Sequence, residues 1–146
     1  KLKEKCLEMI VSLPPEPVYI EADPRRIWRV VENLFSNVCK YALEGTRVYL
    51  EIRRVRQEDR EIAVFTMKNI SAQALNIRAE ELTERFIRGD ISRSTEGSGL
   101  GLSIAQNLTT LQKGTFEIYL DGDLFKVQIG FSCLDVPQPE IEIQMR

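Results

Sequence analysis

The chain has 146 residues and contains no histidine and only three cysteines. The missing histidine excludes a Ser-His-Asp or Cys-His triad, a histidine general base and a His-ligated zinc. Cys6, Cys39 and Cys133 are far apart and odd in number, which fits no zinc spacing. Their usage favours reduced core thiols in a cytosolic compartment.

The sequence also lacks a long apolar run, a signal peptide and a strong charge of either sign. No stretch approaches the roughly 20 apolar residues of a membrane span. The formal charge is −2, from 20 basic and 22 acidic residues, so bulk charge gives no case for nucleic acid or an anionic membrane. The basic run "RRVR" (53–56) is expected to be the solvated face of a strand.

The length and a hydrophobic content of 43% fit one globular domain. We assign this domain to residues 1–134 and a C-terminal tail, with Pro137 and Pro139, to 135–146. Because the sequence starts at Lys1 without an initiator Met, we expect a fragment of a longer protein.

Hydrophobic periodicity predicts the secondary structure. Two short strands, 5–13 and 18–22, precede a helix that starts at Asp23 and Pro24 and ends before Gly45. The other predicted elements are a hairpin of 46–55 and 61–69, a short helix 79–87, a second long helix 100–112, and a hairpin of 114–120 and 124–131. Hairpins outnumber crossovers, so we expect an α+β fold of two layers, without parallel βαβ units.

The first predicted helix contains "ENLFSNVCKYA" (32–42), which places Asn33 and Asn37 one turn apart in an otherwise apolar segment. A buried amide without a partner costs roughly 1–3 kcal/mol. These two residues therefore need partners that the helix itself does not supply.

A second informative stretch, "EGSGLGLSIAQ", has Gly97, Gly99 and Gly101 where a loop enters a helix. Glycine costs about 1 kcal/mol relative to alanine inside a helix, so three at one helix start need a reason. One reason is phosphate binding by exposed backbone N–H groups at the positive end of the helix dipole. The other is a flexible turn with close helix packing.

Taken together, the two stretches and their order resemble the ATP-binding domain of sensor histidine kinases, the Bergerat fold shared with gyrase, Hsp90 and MutL ATPases (the GHKL superfamily). "ADPRRIWRVVENLFSNVCKYA" resembles the family's Asn box, "ERFIRGD" its lid motif and "SRSTEGSGLGLSIA" its second glycine box. The resemblance covers residues 5–133. It implies a mixed, mostly antiparallel sheet, about three helices on one face and a mobile lid over ATP.

The resemblance also implies site residues. Asn37 matches the Mg²⁺-liganding asparagine and Asn33 the asparagine that can also face the metal. Lys40 matches a lysine that reaches a phosphate, and Tyr41 the aromatic residue next to the nucleotide. The remaining matches are the lid arginines Arg88 and Arg93, placed to close over the γ-phosphate, and the second glycine box around Gly97, Ser98, Gly99, Leu100 and Gly101. Tyr41 as a cap on the core and either arginine as a surface ion pair are open alternatives.

The first glycine box departs from the family pattern D-x-G-x-G. Asn69 stands in the place of the aspartate that accepts a hydrogen bond from the adenine amino group, and Ser71 in that of the first glycine. A charge-assisted bond would thereby become a neutral and weaker one, and we expect weak ATP binding. Asn33 occupies the place where hydrolytic relatives keep a glutamate, which favours phosphotransfer over hydrolysis.

The implied function is that of the catalytic domain of a bacterial two-component sensor kinase. It would bind Mg²⁺-ATP and phosphorylate a histidine on a separate helical-hairpin domain, with a response regulator downstream in the phosphorelay. No catalytic side chain is expected within this chain. The parent is expected to be dimeric and membrane-anchored, with this domain cytoplasmic and monomeric in isolation. The alternatives are an anti-sigma-factor-type serine kinase and a nucleotide-sensing pseudokinase.

Overall fold

The structure is a computed structural model that describes residues 5–72 and 98–134, with only the backbone described for 98–101. The predicted helix 79–87 and the tail 135–146 lie outside the described residues. Within them, the chain forms strands β1 (Glu8–Ser12), β2 (Arg47–Gln57), β3 (Arg60–Ile70), β4 (Thr115–Asp121) and β5 (Leu124–Ser132) and helices α1 (Pro24–Tyr41) and α2 (Ser98–Leu111).

The strands form one sheet in the order β1-β2-β3-β5-β4. β2 pairs with β3, β3 with β5 and β4 with β5, all antiparallel. The predicted hairpins and both long helices are confirmed. The turn between β4 and β5 contains Gly122 at φ 62°, a conformation that glycine adopts readily.

Two sequence-based predictions were wrong at the start of the chain. β1 pairs in parallel with β2 and is connected to it through α1, so the fold contains one βαβ unit. The segment 18–22 forms no strand, because only Ile20 pairs, in an isolated bridge to Cys133. Hairpin counting missed the crossover because a parallel pair leaves no turn signal between its strands.

Both helices pack on one face of the sheet. The side chains that alternate toward this face form the core together with the buried faces of α1 and α2. The core residues are Val30, Leu34, Val38, Ala42, Val48, Met67, Leu102, Ala105, Ile118, Phe125, Val127, Ile129 and Phe131. This two-layer α+β arrangement is the predicted fold class.

The opposite face of the sheet (the open face) is mostly polar, although Val64 and Thr66 on it are only 7% and 5% exposed. Lys68 lies over the ring of Tyr49 at 5.3 Å, and Lys126 over the ring of Tyr119 at 5.0 Å. Arg53 contacts Glu51 at 3.2 Å on this face. All three arginines of "RRVR" are exposed, as predicted, although Arg54 and Arg56 alternate to the side of the sheet that carries the helices.

The three cysteines are free thiols. Cys39 and Cys133 are half-buried, and burial raises the pKa of Cys133. Cys6 is exposed, so its interpretation as a core thiol was wrong. Neither helix of the described ranges is long and apolar enough to cross a membrane.

Candidate functional site

Within residues 5–72 and 98–134, four buried side-chain atoms have no hydrogen-bond partner: Asn33 Nδ2, Asn37 Oδ1, Thr66 Oγ1 and Asn69 Oδ1. Three of the four belong to asparagines that the sequence had already singled out. Each buried polar atom without a partner costs about 1–3 kcal/mol, so such atoms are rare in folded proteins. Their concentration on predicted site residues indicates a ligand.

Helix α1 places two of these asparagines. Its inner face buries Val30, Leu34 and Val38 in the core, and Asn37 lies on that face with 7% of its surface exposed. Asn33 is half-buried one turn earlier. The buried apolar side chains therefore set the rotation of α1 about its own axis. This rotation places both amides at the edge of the buried face of the helix.

Strand β3 places the third asparagine. Asn69 lies opposite Phe125 of β5, on the same face as Met67 of the core, because side chains alternate along a strand. It is only 2% exposed. Its Oδ1 is a hydrogen-bond acceptor that faces the helical layer and meets no donor there.

Backbone hydrogen bonds join the end of α1 to the end of β3. The Leu43 N–H donates to the Ile70 carbonyl, and the Ala72 N–H donates to the Tyr41 carbonyl, both at 2.8 Å. Ala42 and Ser71 form a bridge between these contacts. The structure therefore brings the segment of Lys40 and Tyr41 beside the segment of Asn69.

Ser71 fits where the family pattern has glycine. Its side chain is buried, and its backbone N–H donates to the Asp123 carbonyl at 2.7 Å. The turn after β3 therefore accommodates a Cβ at this position.

Helix α2 packs against α1, with Leu102 and Ala105 in the shared core. The Asp23 N–H, at the start of α1, donates to Gln112 Oε1, just past the end of α2, at 2.7 Å. Since the start of one helix meets the end of the other, the start of α2 lies toward Lys40 and Tyr41. Ser98, Gly99, Leu100 and Gly101 form the first turn of α2, whose backbone N–H groups have no intrahelical acceptors.

Lys40 is the basic residue of the last turn of α1 and is exposed, whereas Tyr41 is half-buried. Arg88, Arg93 and Gly97 lie outside the described residues. The structure thus brings together the predicted residues of α1 and β3, with the start of α2 toward them.

Two residues of this region were not singled out in the sequence. Thr66 has a buried Oγ1 without a partner but lies on the open face of the sheet, and we assign it no ligand. Lys5 Nζ donates to the carbonyls of Lys40 and Ala42 at 3.0 and 3.2 Å. No local pattern could reveal that contact, because it joins residues 35 and 37 positions apart.

The chemistry of the site decides which metal it could hold. The described residues contain no group of three or more His, Cys, Asp or Glu side chains that could bind a metal alone. Asn37 Oδ1 is a buried hard oxygen without a partner, and such an atom suits Mg²⁺ when phosphates and water supply the other ligands. The donor set therefore fits a metal that arrives with a nucleotide.

Residues 22–133 match the family described as histidine kinase-, DNA gyrase B- and HSP90-like ATPases. Among curated proteins, the chain is similar to the sensor histidine kinase WalK of Bacillus subtilis, with 32% identity over 77% of this chain and 18% of that protein. It is also similar to the sensor histidine kinase RppB of Synechocystis, with 30% identity over 88% of this chain and 30% of that protein. The chain thus spans less than a third of the length of either relative.

Solved structures share the fold. The mycobacterial sensor histidine kinase MprB matches with a TM-score of 0.70 and 20% identity over 92% of this chain and 88% of that one. The catalytic domain of histidine kinase ThkA matches with a TM-score of 0.68 and 20% identity over 90% of this chain and 82% of that one.

Proposed function

Because the chain belongs to the family of histidine kinase-, DNA gyrase B- and HSP90-like ATPases, we propose that it is the ATPase domain of a sensor histidine kinase. In this role it binds Mg²⁺-ATP and transfers the γ-phosphoryl group to a histidine of a separate domain. The observation that carries the proposal is the set of buried asparagine atoms without partners at the end of α1 and on β3.

Each of these atoms suits a different part of the nucleotide. Asn69 Oδ1 is an acceptor for the adenine amino group, and Asn37 Oδ1 is an oxygen ligand for Mg²⁺ at the phosphates. The atom of Asn33 that lacks a partner is its amide nitrogen, a donor suited to a phosphate oxygen. If the side-chain amide of Asn33 were flipped, so that its oxygen and nitrogen exchanged places, its oxygen would face the metal instead.

Cationic and backbone groups complete the binding of phosphate. Lys40 contributes a positive charge at the end of α1, and the first turn of α2 contributes N–H groups and the positive end of its dipole. When bound, Mg²⁺ neutralises phosphate charge. The protein's own part in the transfer is to position and orient the nucleotide.

Transfer is favoured over hydrolysis because α1 itself places no base beside Asn37 to activate water. Asn33 cannot take a proton at neutral pH, and the neighbouring Glu32 is exposed on another side of α1. The acceptor histidine must come from outside these 146 residues, which contain none. We assign it to a helical-hairpin domain of a dimeric, membrane-anchored parent that signals to a response regulator from the cytoplasm.

Calorimetric titration of Mg²⁺-ATP into the wild-type chain and into Asn37→Ala tests the site. We expect the substitution to weaken binding by at least about tenfold, the effect of losing one strong polar contact. In EDTA the difference should shrink, because the lost ligand serves the metal. Asn107→Ala, which removes an exposed asparagine from α2, is the matched control. Equal affinity of wild type and Asn37→Ala would overturn the metal assignment.

A second experiment tests the reaction. The purified chain is mixed with an isolated helical-hairpin domain from a related sensor kinase and with γ-labelled ATP. We expect acid-labile label on the histidine of the hairpin domain. ATP binding without any transfer to hairpin domains would contradict the kinase assignment, and release of inorganic phosphate instead would contradict the argument from Asn33.

A further inference from the structure

The end of α1 is held by a side chain from far away in the sequence. Lys5 Nζ donates to the Lys40 carbonyl at 3.0 Å and to the Ala42 carbonyl at 3.2 Å. Carbonyls at the end of a helix have no intrahelical donor, and a cation there interacts favourably with the helix dipole. The two accepting residues flank Tyr41, so Lys5 acts on the turn that carries the proposed nucleotide contacts.

The backbone around Lys5 is itself fixed to the loop that follows α1. The Gly45 N–H donates to the Lys5 carbonyl at 2.9 Å, and the Glu8 N–H donates to the Thr46 carbonyl at 3.2 Å. Cys6 has φ 54°, a left-handed conformation that is unfavourable for a residue other than glycine. This turn lets the chain present Lys5 to the helix end and still enter β1 at Glu8.

The same short segment is held from the other side by β3. The Tyr41 carbonyl accepts from the Ala72 N–H, and the Leu43 N–H donates to the Ile70 carbonyl. Lys5 therefore occupies the two carbonyls on either side of the Tyr41 carbonyl, which accepts from Ala72 just past the end of β3. Together the two sets of contacts hold residues 40–43 between β3 and the N-terminal segment.

We propose that Lys5 is a positioning residue for the nucleotide site. Its ammonium group orders the last turn of α1, so that Lys40 and Tyr41 are already in place when the nucleotide arrives. The inference rests on the proposed function, because it concerns the same site. Without Lys5 that turn would fray, and binding would have to order it at a cost in affinity.

The test compares Lys5→Met, which keeps the length of the side chain and removes the charge, with Lys5→Arg, which can still donate to two carbonyls. Lys126→Met is the matched control, because it removes the same charge from the open face of the sheet. For each variant of this 146-residue chain we would measure Mg²⁺-ATP affinity, the urea midpoint without nucleotide, and amide exchange at Ala42 and Leu43.

Lys5→Met should weaken Mg²⁺-ATP binding by about three- to tenfold and speed exchange at Ala42 and Leu43, as expected for loss of a charged helix cap. Lys5→Arg should restore affinity and slow exchange, and Lys126→Met should match wild type. A purely structural role would shift the urea midpoint without changing the affinity of the folded protein.

Wild-type affinity in Lys5→Met would overturn the inference about Lys5 and leave the proposed function standing. Weakened binding in Lys5→Met that Lys5→Arg fails to restore would overturn it as well. If the wild-type chain bound no Mg²⁺-ATP, the proposed function would fail first and this inference with it. The two failures are therefore distinguishable by the wild-type titration alone.

Discussion

At the start of α1 the polar groups have partners within the protein, whereas two side-chain amide atoms toward its end have none. At its start, Asp23 accepts from the Arg25 N–H at 2.9 Å through its side chain and from the Ile27 N–H at 3.0 Å through its carbonyl. Pro24 follows, where a missing N–H has no consequence. Toward the end of the helix, Asn33 Nδ2 and Asn37 Oδ1 are buried without partners.

The first turn of α1 therefore contributes to stability, whereas its later turns are suited to binding a ligand. The start follows the rules for a stable helix, with an N-cap and a partner for the Asp23 N–H on Gln112. The later turns carry amides whose burial lowers stability until a ligand supplies their partners. Substitutions at the two ends should therefore change different measurements.

The largest effect is expected from Val30→Ala in the first half of α1. Val30 is 2% exposed and lies seven residues, about two turns, before Asn37 on the same face. Its truncation should lower the free energy of unfolding by about 2 kcal/mol through lost burial and a cavity. Affinity of the folded protein for Mg²⁺-ATP should stay within about twofold, because two turns separate it from Asn37.

Asn37→Ala provides the opposite half of this comparison. It should leave the free energy of unfolding unchanged or raise it, because the removed oxygen has no partner in the protein. Urea denaturation of both variants, followed by circular dichroism, measures the two values. A loss of stability in Asn37→Ala as large as that in Val30→Ala would show that Asn37 is structural and would remove the contrast.

An intermediate effect is expected from Asn69→Asp, which restores the family's carboxylate. A charge-assisted hydrogen bond to the adenine amino group should tighten ATP binding by up to about tenfold. Titration calorimetry at neutral pH measures this change. Inorganic triphosphate, which has no adenine, is the control ligand. If Asn69→Asp bound it more tightly by the same factor as ATP, an adenine contact would be contradicted.

The same variant should make stability depend on pH. Position 69 is 2% exposed, so desolvation should raise the pKa of the new carboxyl above its unfolded value. The stability of the variant relative to wild type is then highest below the unfolded pKa and is lost as pH rises through the folded pKa. Unfolding curves that shift equally with pH for wild type and variant would show that the carboxyl is not buried.

Local patterns in the sequence predicted the regular elements well. The alternation of Val48, Leu50 and Ile52 gave the strand and its buried face, and the apolar stripe of α1 gave its rotation. The same stripe predicted that Asn33 and Asn37 would lie beside the core. These features depend on neighbours within one or two turns, which a sequence displays directly.

Features that depend on distant contacts were not visible. The parallel pairing of Glu8 with Arg47 joins residues that lie on either side of α1 in the sequence. The hydrogen bonds of Lys5 to α1, and of Asp23 to Gln112, join residues with no shared local pattern. The sequence also could not show which amide atom of Asn33 lacks a partner, because that depends on side chains that come together only in the folded chain.

The smallest effect is expected from Asp23→Ala at the start of α1. Loss of an N-cap costs about 1 kcal/mol, so the free energy of unfolding should fall by roughly that amount. Glu32→Ala is the matched control, because it removes the same charge from an exposed position of the same helix. Urea denaturation of both variants separates the cap from the charge.

Mg²⁺-ATP affinity should be the same in Asp23→Ala, Glu32→Ala and wild type, since neither carboxylate lies among the atoms that lack partners. The cap acts on the first turn, and its influence falls off within that turn. If Asp23→Ala weakened nucleotide binding while Glu32→Ala did not, the two ends of α1 would be coupled. The side-chain cap of Asp23 would then serve the site as well as the helix, and the division of α1 into a stabilising and a binding half would not hold.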